Sequence, residues 1–274
     1  MALHWQDGGN GRIGAGGKSL EVAMWGPAPD AAPTIVMLHE GLGCVALWRD
    51  VPRLIAQATG WGVLAYSRAG YGQSDPADLP RPLDYMTREA VDVLPGVLDA
   101  IGFRHGVLLG HSDGATIAAI YAGSVEDFRV RGLILLAPHF FTEETGLAEI
   151  ARAKTAYDGT DLRARMARYH RDPDNAFRGW NGAWLDPGFR AWNVADVIDY
   201  WRIPALVIQG RDDPYGTLAQ VDEVRDRSYA PVDVEILEAC GHAPHLERPE
   251  PTLGAIAEFV VRLARIEAAA VEGV

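Results

Sequence analysis

The sequence predicts an α/β protein with a mostly parallel, doubly wound sheet of about eight strands and an inserted helical cap. Short apolar runs such as Thr34–Leu38 and Gly62–Tyr66 have the continuous hydrophobicity of strands buried on both faces. Helical stretches separate these runs, so right-handed crossovers should return the chain to parallel strands. One long, aromatic-rich segment interrupts the alternation, and this interruption predicts the cap.

The same patterns of apolar residues predict the remaining strands and helices. Further buried strands are expected at Val107–Leu109, Val130–Leu136, Ala205–Gln209 and Val232–Leu237. Lys18–Trp25 alternates like an edge strand, paired in a hairpin with the opening residues. Helices are expected at Ala46–Thr59, at Asp84–Ile101 with a kink at Pro95, and at Pro251–Ala270.

The cap is expected at residues 139–203, between core segments 1–138 and 204–274. A segment of this length is too long for a plain connection. It contains helical, charged stretches and many aromatic residues, including Trp180, Trp184 and Trp192. Most of these rings should pack between cap and core, and a minority should line a substrate pocket.

Composition limits the possible partners. The 274-residue chain is 48% hydrophobic and carries a net charge of −12, which argues against nucleic-acid or anionic-membrane surfaces. No apolar run reaches the ~20 residues of a membrane span, and no signal peptide opens the chain. Only two cysteines occur, Cys44 and Cys240, without a disulfide pattern. We therefore expect a cytoplasmic protein with a small-molecule substrate, both cysteines acting as small buried side chains; the oligomeric state stays open.

The sequence GHSDG at residues 110–114 follows an apolar run and precedes a stretch rich in Ala and Ile. Strand, G-x-S-x-G and helix in this order are the context of a nucleophile elbow. Gly110 and Gly114 would relieve crowding where strand and helix pass closest. Ser112 would then project at the carboxyl end of the strand, beside the free N–H groups of the helix.

A serine nucleophile needs a base, and the base needs a carboxylate that fixes its tautomer. Candidate acids Asp212 and Asp213 follow one expected strand, and candidate bases His242 and His245 follow the next. The carboxyl ends of parallel strands share one edge of the sheet, so these groups should meet Ser112 there. The pair His242-x-x-His245 has no third ligand cluster, and we expect neither a metal nor a cofactor.

With these motifs in view, the chain from about Thr34 onward resembles the α/β-hydrolase fold serine hydrolases of the cap-bearing esterase type. The R-x-G-x-G-x-S loop at residues 68–74 also matches this superfamily. The resemblance implies Ser112 as nucleophile, Asp213 as the acid through the G-x-x-D spacing, and His242 as the base through Gly-His. Asp212 would then be a capping or loop residue, and His245 would satisfy a backbone group.

The oxyanion hole of such an enzyme uses two backbone N–H groups. We expect one from Asp113 and the other from Gly41, with Leu42 as the alternative. The family's usual His-Gly pair is here His39-Glu40, which places a carboxylate beside the expected oxyanion.

A bare carboxylate at this place would oppose the reaction. Glu40 should therefore point to solvent, with pairing to Arg49 or Arg68, or protonation, as the alternatives. The expected pocket residues are Glu40, Leu42, His139, Trp180, Trp184 and Trp192.

The expected function is hydrolysis of a small carboxylic ester or lactone through an acyl-enzyme. A carbon–carbon bond hydrolase of ring-cleavage products uses the same triad on the same fold and is the alternative enzyme. A non-catalytic small-ligand receptor on this fold is the alternative outside catalysis.

Overall fold

The computed structural model describes residues 3–272 and contains one eight-stranded sheet. Its strands are β1 Asn10–Ala15, β2 Lys18–Trp25, β3 Thr34–Leu38, β4 Gly62–Tyr66, β5 Gly106–His111, β6 Val130–Leu136, β7 Ala205–Gly210 and β8 Val232–Leu237. The spatial order is β1-β2-β4-β3-β5-β6-β7-β8. Strands β3 to β8 pair in parallel, while β1 and β2 add antiparallel pairings. The predicted sheet is thereby confirmed.

One detail of the predicted sheet is wrong. β2 pairs with β1 on one side and with β4 on the other, so it is an interior strand and β1 is the edge. The alternating pattern of Lys18–Trp25 arose because β2 is more accessible than the central parallel strands, whose residues in β3 and β4 are all buried.

The α-helices are α1 Val51–Thr59, α2 Tyr85–Arg88, α3 Leu94–Ala100, α4 Asp113–Ser124, α5 Glu144–Gly159, α6 Leu162–Met166, α7 Pro173–Trp184, α8 Ala219–Arg227, α9 Pro244–Glu247 and α10 Pro249–Glu272. They cover both faces of the sheet. Val36 of β3 packs in one apolar cluster with side chains of α3 and α4, while its neighbour Ile35 packs in another with α1 and α10. Because successive residues of a strand point to opposite faces, the central strands must be apolar throughout.

Two expected helices are irregular. The stretch predicted at Ala46–Thr59 is a 3₁₀ turn at Val45–Trp48 followed by α1, with a break at Arg49, whose φ is +53°. The stretch predicted at Asp84–Ile101 contains a π-helical turn at Glu89–Val93 immediately before α3. Pro95 lacks an N–H donor, so a regular α-helical ladder cannot pass through it.

The chain between β6 and β7 contains α5, α6, α7 and 3₁₀ turns at Pro187–Ala191 and Ala195–Tyr200. This is the segment for which a cap is predicted. Its rings reach the core: Trp201 is fully buried and donates from Nε1 to the carbonyl of Ala119 in α4 over 3.0 Å. The division into core and cap domains stays a prediction.

Candidate active site

Ser112 lies between the end of β5 and the start of α4, with φ +53° and ψ −120°. Such a conformation costs a non-glycine residue about 1–3 kcal/mol and persists only where the surrounding structure enforces it. A Cβ on Gly110 would lie 2.2 Å from the carbonyl oxygen of Gly114, and one on Gly114 would lie 2.1 Å from that of Leu38. Only glycine permits this close approach, so the local backbone is that of the expected elbow.

His242 and Asp213 form a hydrogen-bonded pair. Nδ1 of His242 is 2.8 Å from Oδ2 of Asp213, whose side chain is 1% exposed. Asp212, by contrast, is exposed, and the structure therefore brings Asp213 rather than Asp212 to the histidine.

Two further donors hold the Asp213 carboxylate in place. Nε2 of Gln209 donates to Oδ2 and the N–H of Tyr215 donates to Oδ1, each over 2.8 Å. Burial opposes ionisation of this carboxyl, but the hydrogen bond and charge of His242 and the Tyr215 N–H keep the pKa of Asp213 below its usual value. Sequence reasoning missed Gln209 because it is the last side chain of an otherwise apolar strand.

His245 does not play the role expected from the sequence. Its ring packs on Trp48 at a centroid distance of 4.9 Å and edge-on against His111 at 4.8 Å. Its Nδ1 is buried without a hydrogen-bond partner among the described residues. Burial lowers the pKa of His245 to about 3, so the ring is a neutral packing element.

The two expected oxyanion segments reach one pocket. Asp113 is the first residue of α4, and Gly41 lies in the turn after β3; both line the pocket together with Leu42. A Cβ on Gly41 would lie 2.2 Å from Nε1 of Trp180, so only glycine allows the turn to pass beneath this cap residue.

The Asp113 side chain belongs to a buried polar network. The Tyr85 hydroxyl donates to Oδ2 of Asp113 over 2.5 Å, and Nε1 of Trp184 donates to the Tyr85 hydroxyl over 3.0 Å. Nη2 of Arg68 lies 3.9 Å from the same carboxylate oxygen. Burial raises the pKa of Asp113, against the effect of the Arg68 charge and the Tyr85 hydroxyl. The network connects Trp184 of α7 to the residue after Ser112, and nothing in the spacing of Tyr85 predicted it.

Glu40 does not point freely to solvent as expected. Its side chain is 29% exposed, and Oε2 lies 3.6 Å from Nδ1 of His111. Among the described residues 3–272, neither Arg49 nor Arg68 forms an ion pair with the Glu40 carboxylate. Arg68 donates instead to the backbone carbonyls of His39 and Glu40. The nearest partner is therefore His111, inside the elbow itself.

The pocket in front of Ser112 has a volume of about 180 Å³. Its lining residues are Glu40, Gly41, Leu42, Ser112, Asp113, His139, Ile150, Trp180, Trp184, Tyr215 and His242. The His139 ring lies 5.5 Å from that of His242, and burial lowers the pKa of His139 to about 3. Ile150 and Tyr215 complete the wall and were not expected from the sequence.

Trp192 was expected in the pocket and does not line it. Its ring stacks on Phe189 at 5.0 Å and contacts Trp184 at 5.8 Å, so it packs behind the pocket wall. Both cysteines are buried, and burial raises the pKa of Cys44 to about 12 and that of Cys240 to about 11. Neither thiol is a nucleophile at neutral pH.

Among residues 3–272, no three His, Cys, Asp or Glu side chains are grouped as metal ligands. Within the same range, no helix has the length and apolar character needed to span a membrane.

Comparison with known proteins is consistent with this geometry. A family model described as the alpha/beta hydrolase family matches residues 35–255. The chain belongs to this family. The match covers the elbow and the strand ends that carry Asp213 and His242, and the protein is a hydrolase of α/β-hydrolase fold.

The relatives of this hydrolase differ in substrate. It is 27% identical to the human serine hydrolase BPHL over 56% of its own length, but the match spans only 53% of that protein. It is 24% identical to a proline iminopeptidase of Lactobacillus delbrueckii subsp. bulgaricus over 81% of its own length and 87% of the relative. Among solved structures, an enol-lactonase from Burkholderia xenovorans LB400 superposes with a TM-score of 0.72 at 18% identity, covering 92% of this chain and all of the other (100%). That likeness shows the fold alone.

Proposed function

We propose that this hydrolase cleaves small, uncharged carboxylic esters or lactones through an acyl-enzyme on Ser112. The observation that carries the proposal is the 2.8 Å contact between Nδ1 of His242 and the carboxylate of Asp213. His242 and Ser112 line the same pocket. A carboxylate that accepts the Nδ1–H leaves Nε2 as the basic nitrogen, which is the tautomer a serine nucleophile requires.

The residues have distinct roles in this reaction. His242 takes the proton of the Ser112 hydroxyl as the oxygen attacks the carbonyl carbon, and then returns it to the leaving alkoxide. The N–H groups of Gly41 and Asp113 stabilise the oxyanion, and the helix that begins at Asp113 adds its positive end. Water, deprotonated by His242, then hydrolyses the acyl-enzyme, and Asp213 keeps the ring oriented throughout.

The pocket supports a small, largely apolar substrate. Its volume of about 180 Å³ is below the ~300–1,000 Å³ of sites for drug-sized ligands. Trp180 and Trp184 of the cap and Ile150 supply apolar walls opposite the catalytic edge.

A second candidate substrate class is an ester or amide that carries an ammonium group. Glu40 is one of the residues that line the pocket, and an amine-bearing substrate would fit the similarity to the proline iminopeptidase. A substrate with an ammonium group requires that the Glu40 carboxylate is free to bind a cation, whereas an uncharged ester or lactone does not.

The test combines active-site labelling with turnover. A fluorophosphonate probe should modify Ser112, as located by peptide mass spectrometry, and the Ser112→Ala variant should not be labelled. A panel of neutral esters, lactones, aminoacyl esters and dienoic ring-cleavage products then ranks the substrate classes by kcat/KM. Labelling without turnover of any member would favour a ligand receptor, and preference for the dienoic products would favour a carbon–carbon bond hydrolase.

A further inference from the structure

His111, the second residue of the G-x-S-x-G motif, lies between two groups that only accept hydrogen bonds. Its Nε2 is 2.6 Å from the backbone carbonyl oxygen of His242. Its Nδ1 is 3.6 Å from Oε2 of Glu40. Since a carbonyl oxygen has no proton to donate, Nε2 must carry the hydrogen of the first contact.

A neutral imidazole with its proton on Nε2 would turn the Nδ1 lone pair toward the Glu40 carboxylate. Nδ1 is also buried without a hydrogen-bond partner among the described residues, and the Glu40 carboxylate is the charged group it faces. A second proton on Nδ1 removes this repulsion and supplies a donor for the carboxylate. We propose that His111 is an imidazolium in the resting protein, paired with Glu40, and that this pair positions His242 and cancels the Glu40 charge beside the oxyanion hole.

Among the groups around His111, Glu40 provides the negative charge that balances the second proton on the ring. The rings of His242 and His245 lie 5.1 and 4.8 Å from that of His111. His245 and the nearby His139 are neutral because burial lowers the pKa of each to about 3. Asp213 is hydrogen-bonded to His242. The positive charge of Arg49 contributes to the lowered pKa of His245.

The conformation of Glu40 also fits the pair. A Cβ at Gly43 would lie 2.2 Å from Oε2 of Glu40, so glycine at this place leaves room for the carboxylate to fold back toward His111. Burial alone would raise the pKa of Glu40, but the adjacent His111 holds it well below its usual value.

The pair has a consequence for catalysis, which rests on the proposed function. Glu40 directly precedes Gly41, one of the proposed oxyanion donors. An unpaired carboxylate about 6 Å from the oxyanion, at an effective dielectric near 20, would slow the acylation step by roughly 100-fold. With the imidazolium in place the pair is neutral, and the pocket is suited to uncharged substrates rather than to cations. His111 is thus a positioning residue that acts through His242 and Glu40.

The protonation state can be measured without any substrate. Ring-¹⁵N-labelled protein near pH 7 should show protons on both ring nitrogens of His111, with the resonances assigned by their loss in His111→Gln. In Glu40→Gln only Nε2 should keep its proton, because the amide can donate to a neutral Nδ1. A neutral His111 in the wild-type protein would overturn the proposal. A doubly protonated His111 in a protein without esterase activity would retain the ion pair and reject the proposed function.

The charge-cancelling role of His111 can be tested kinetically by combining substitutions of His111 and Glu40. His111→Gln alone leaves Glu40 unpaired and should lower kcat for a neutral ester by about 10- to 100-fold. Adding Glu40→Gln to it should recover at least about 10-fold of that loss, whereas Glu40→Gln alone should cost less than about 10-fold. Glu126→Gln, at an exposed position, is the matched control and should recover nothing. Equal losses in the single and double His111 variants would reject the charge-cancelling role. A selective loss of ammonium-bearing esters in Glu40→Gln would instead make Glu40 a substrate ligand.

Discussion

The indole Nε1 of Trp184 donates to the hydroxyl of Tyr85 over 3.0 Å, which joins a pocket-lining residue of α7 to α2 of the hydrolase. Tyr85 donates in turn to the side chain of Asp113, whose backbone N–H is a proposed oxyanion donor. A residue that lines the pocket is thereby connected, through two hydrogen bonds, to the residue proposed to supply an oxyanion donor.

Tyr85→Phe should therefore affect both stability and catalysis. The substitution leaves the buried carboxylate of Asp113 and the Trp184 N–H without their shared partner, and should lower the free energy of unfolding by about 1–3 kcal/mol. It should also lower kcat by about 10-fold or more, because small displacements of an oxyanion donor are costly. Tyr121→Phe is the matched control, since the Tyr121 hydroxyl donates to Asp127 over 2.6 Å near the C-terminal end of α4, about two turns away from Asp113. Equal kcat values in the two variants would show that the hydrogen bonds of Tyr85 do not affect catalysis.

Ser112→Ala should abolish turnover while the fold persists. We expect a loss of about 10⁴-fold or more in kcat, and His242→Ala should cost a similar factor. The double variant should be almost no worse than either single variant, because nucleophile and base act as one unit. Losses that multiply in the double variant would mean that Ser112 and His242 work independently, and the proposed mechanism would be wrong.

Asp213→Asn should lower kcat by about 10³- to 10⁴-fold, because an amide at this position can donate to Nδ1 and favours the unproductive tautomer of His242. The neighbouring Asp212→Asn is the control and should change kcat far less, since Asp212 is exposed. Steady-state kinetics of both variants on one neutral ester suffice. A larger loss at Asp212 would transfer the acid role to that residue.

The cap tryptophans should divide into two groups. Trp180→Ala or Trp184→Ala should change the ratio of kcat/KM for acetate and benzoate esters by about 10-fold or more, because both rings line the pocket. Trp192→Ala should change both substrates by the same factor, since its ring packs behind Trp184. An unchanged ratio in all three variants would make these residues packing elements only.

Acid should destabilise the protein through its buried histidines. The pKa values of His139 and His245 are lowered to about 3, against about 6.5 in an unfolded chain. Between these values the unfolded state binds the additional proton, so each histidine removes about 1.4 kcal/mol of stability per pH unit as the pH falls. Above pH ~6.5 neither contributes a slope.

Denaturant unfolding between pH 7 and pH 4 measures this effect. His245→Gln should give a shallower decline of stability with acid than the wild-type protein, whatever its stability at pH 7. His4→Gln, at an exposed position, should leave the slope unchanged. A slope that is identical in His245→Gln and the wild-type protein would show that His245 is not held neutral by burial.

Local sequence was sufficient for the central parallel strands and for the elbow. Strands buried on both faces have to be apolar throughout, so β3, β4 and β5 could be recognised from short runs of residues. The elbow was equally readable, because Gly110 and Gly114 are required where a side chain would overlap the backbone of the neighbouring segment. The acid and base candidates followed from their positions after successive parallel strands, which end at one edge.

What the sequence left open were contacts between residues far apart in the chain. Glu40 was expected to point to solvent or to meet an arginine, because the sequence could not show that β3 and β5 are neighbours and that their ends place Glu40 beside His111. Tyr85 and Trp184 are 99 residues apart and meet only because the segment between β6 and β7 packs against α2. The identity of the central strands depends on apolar residues that are neighbours along the chain, and sequence alone determined it. The partners of buried polar groups depend on which segments pack together, and only the tertiary structure decided these.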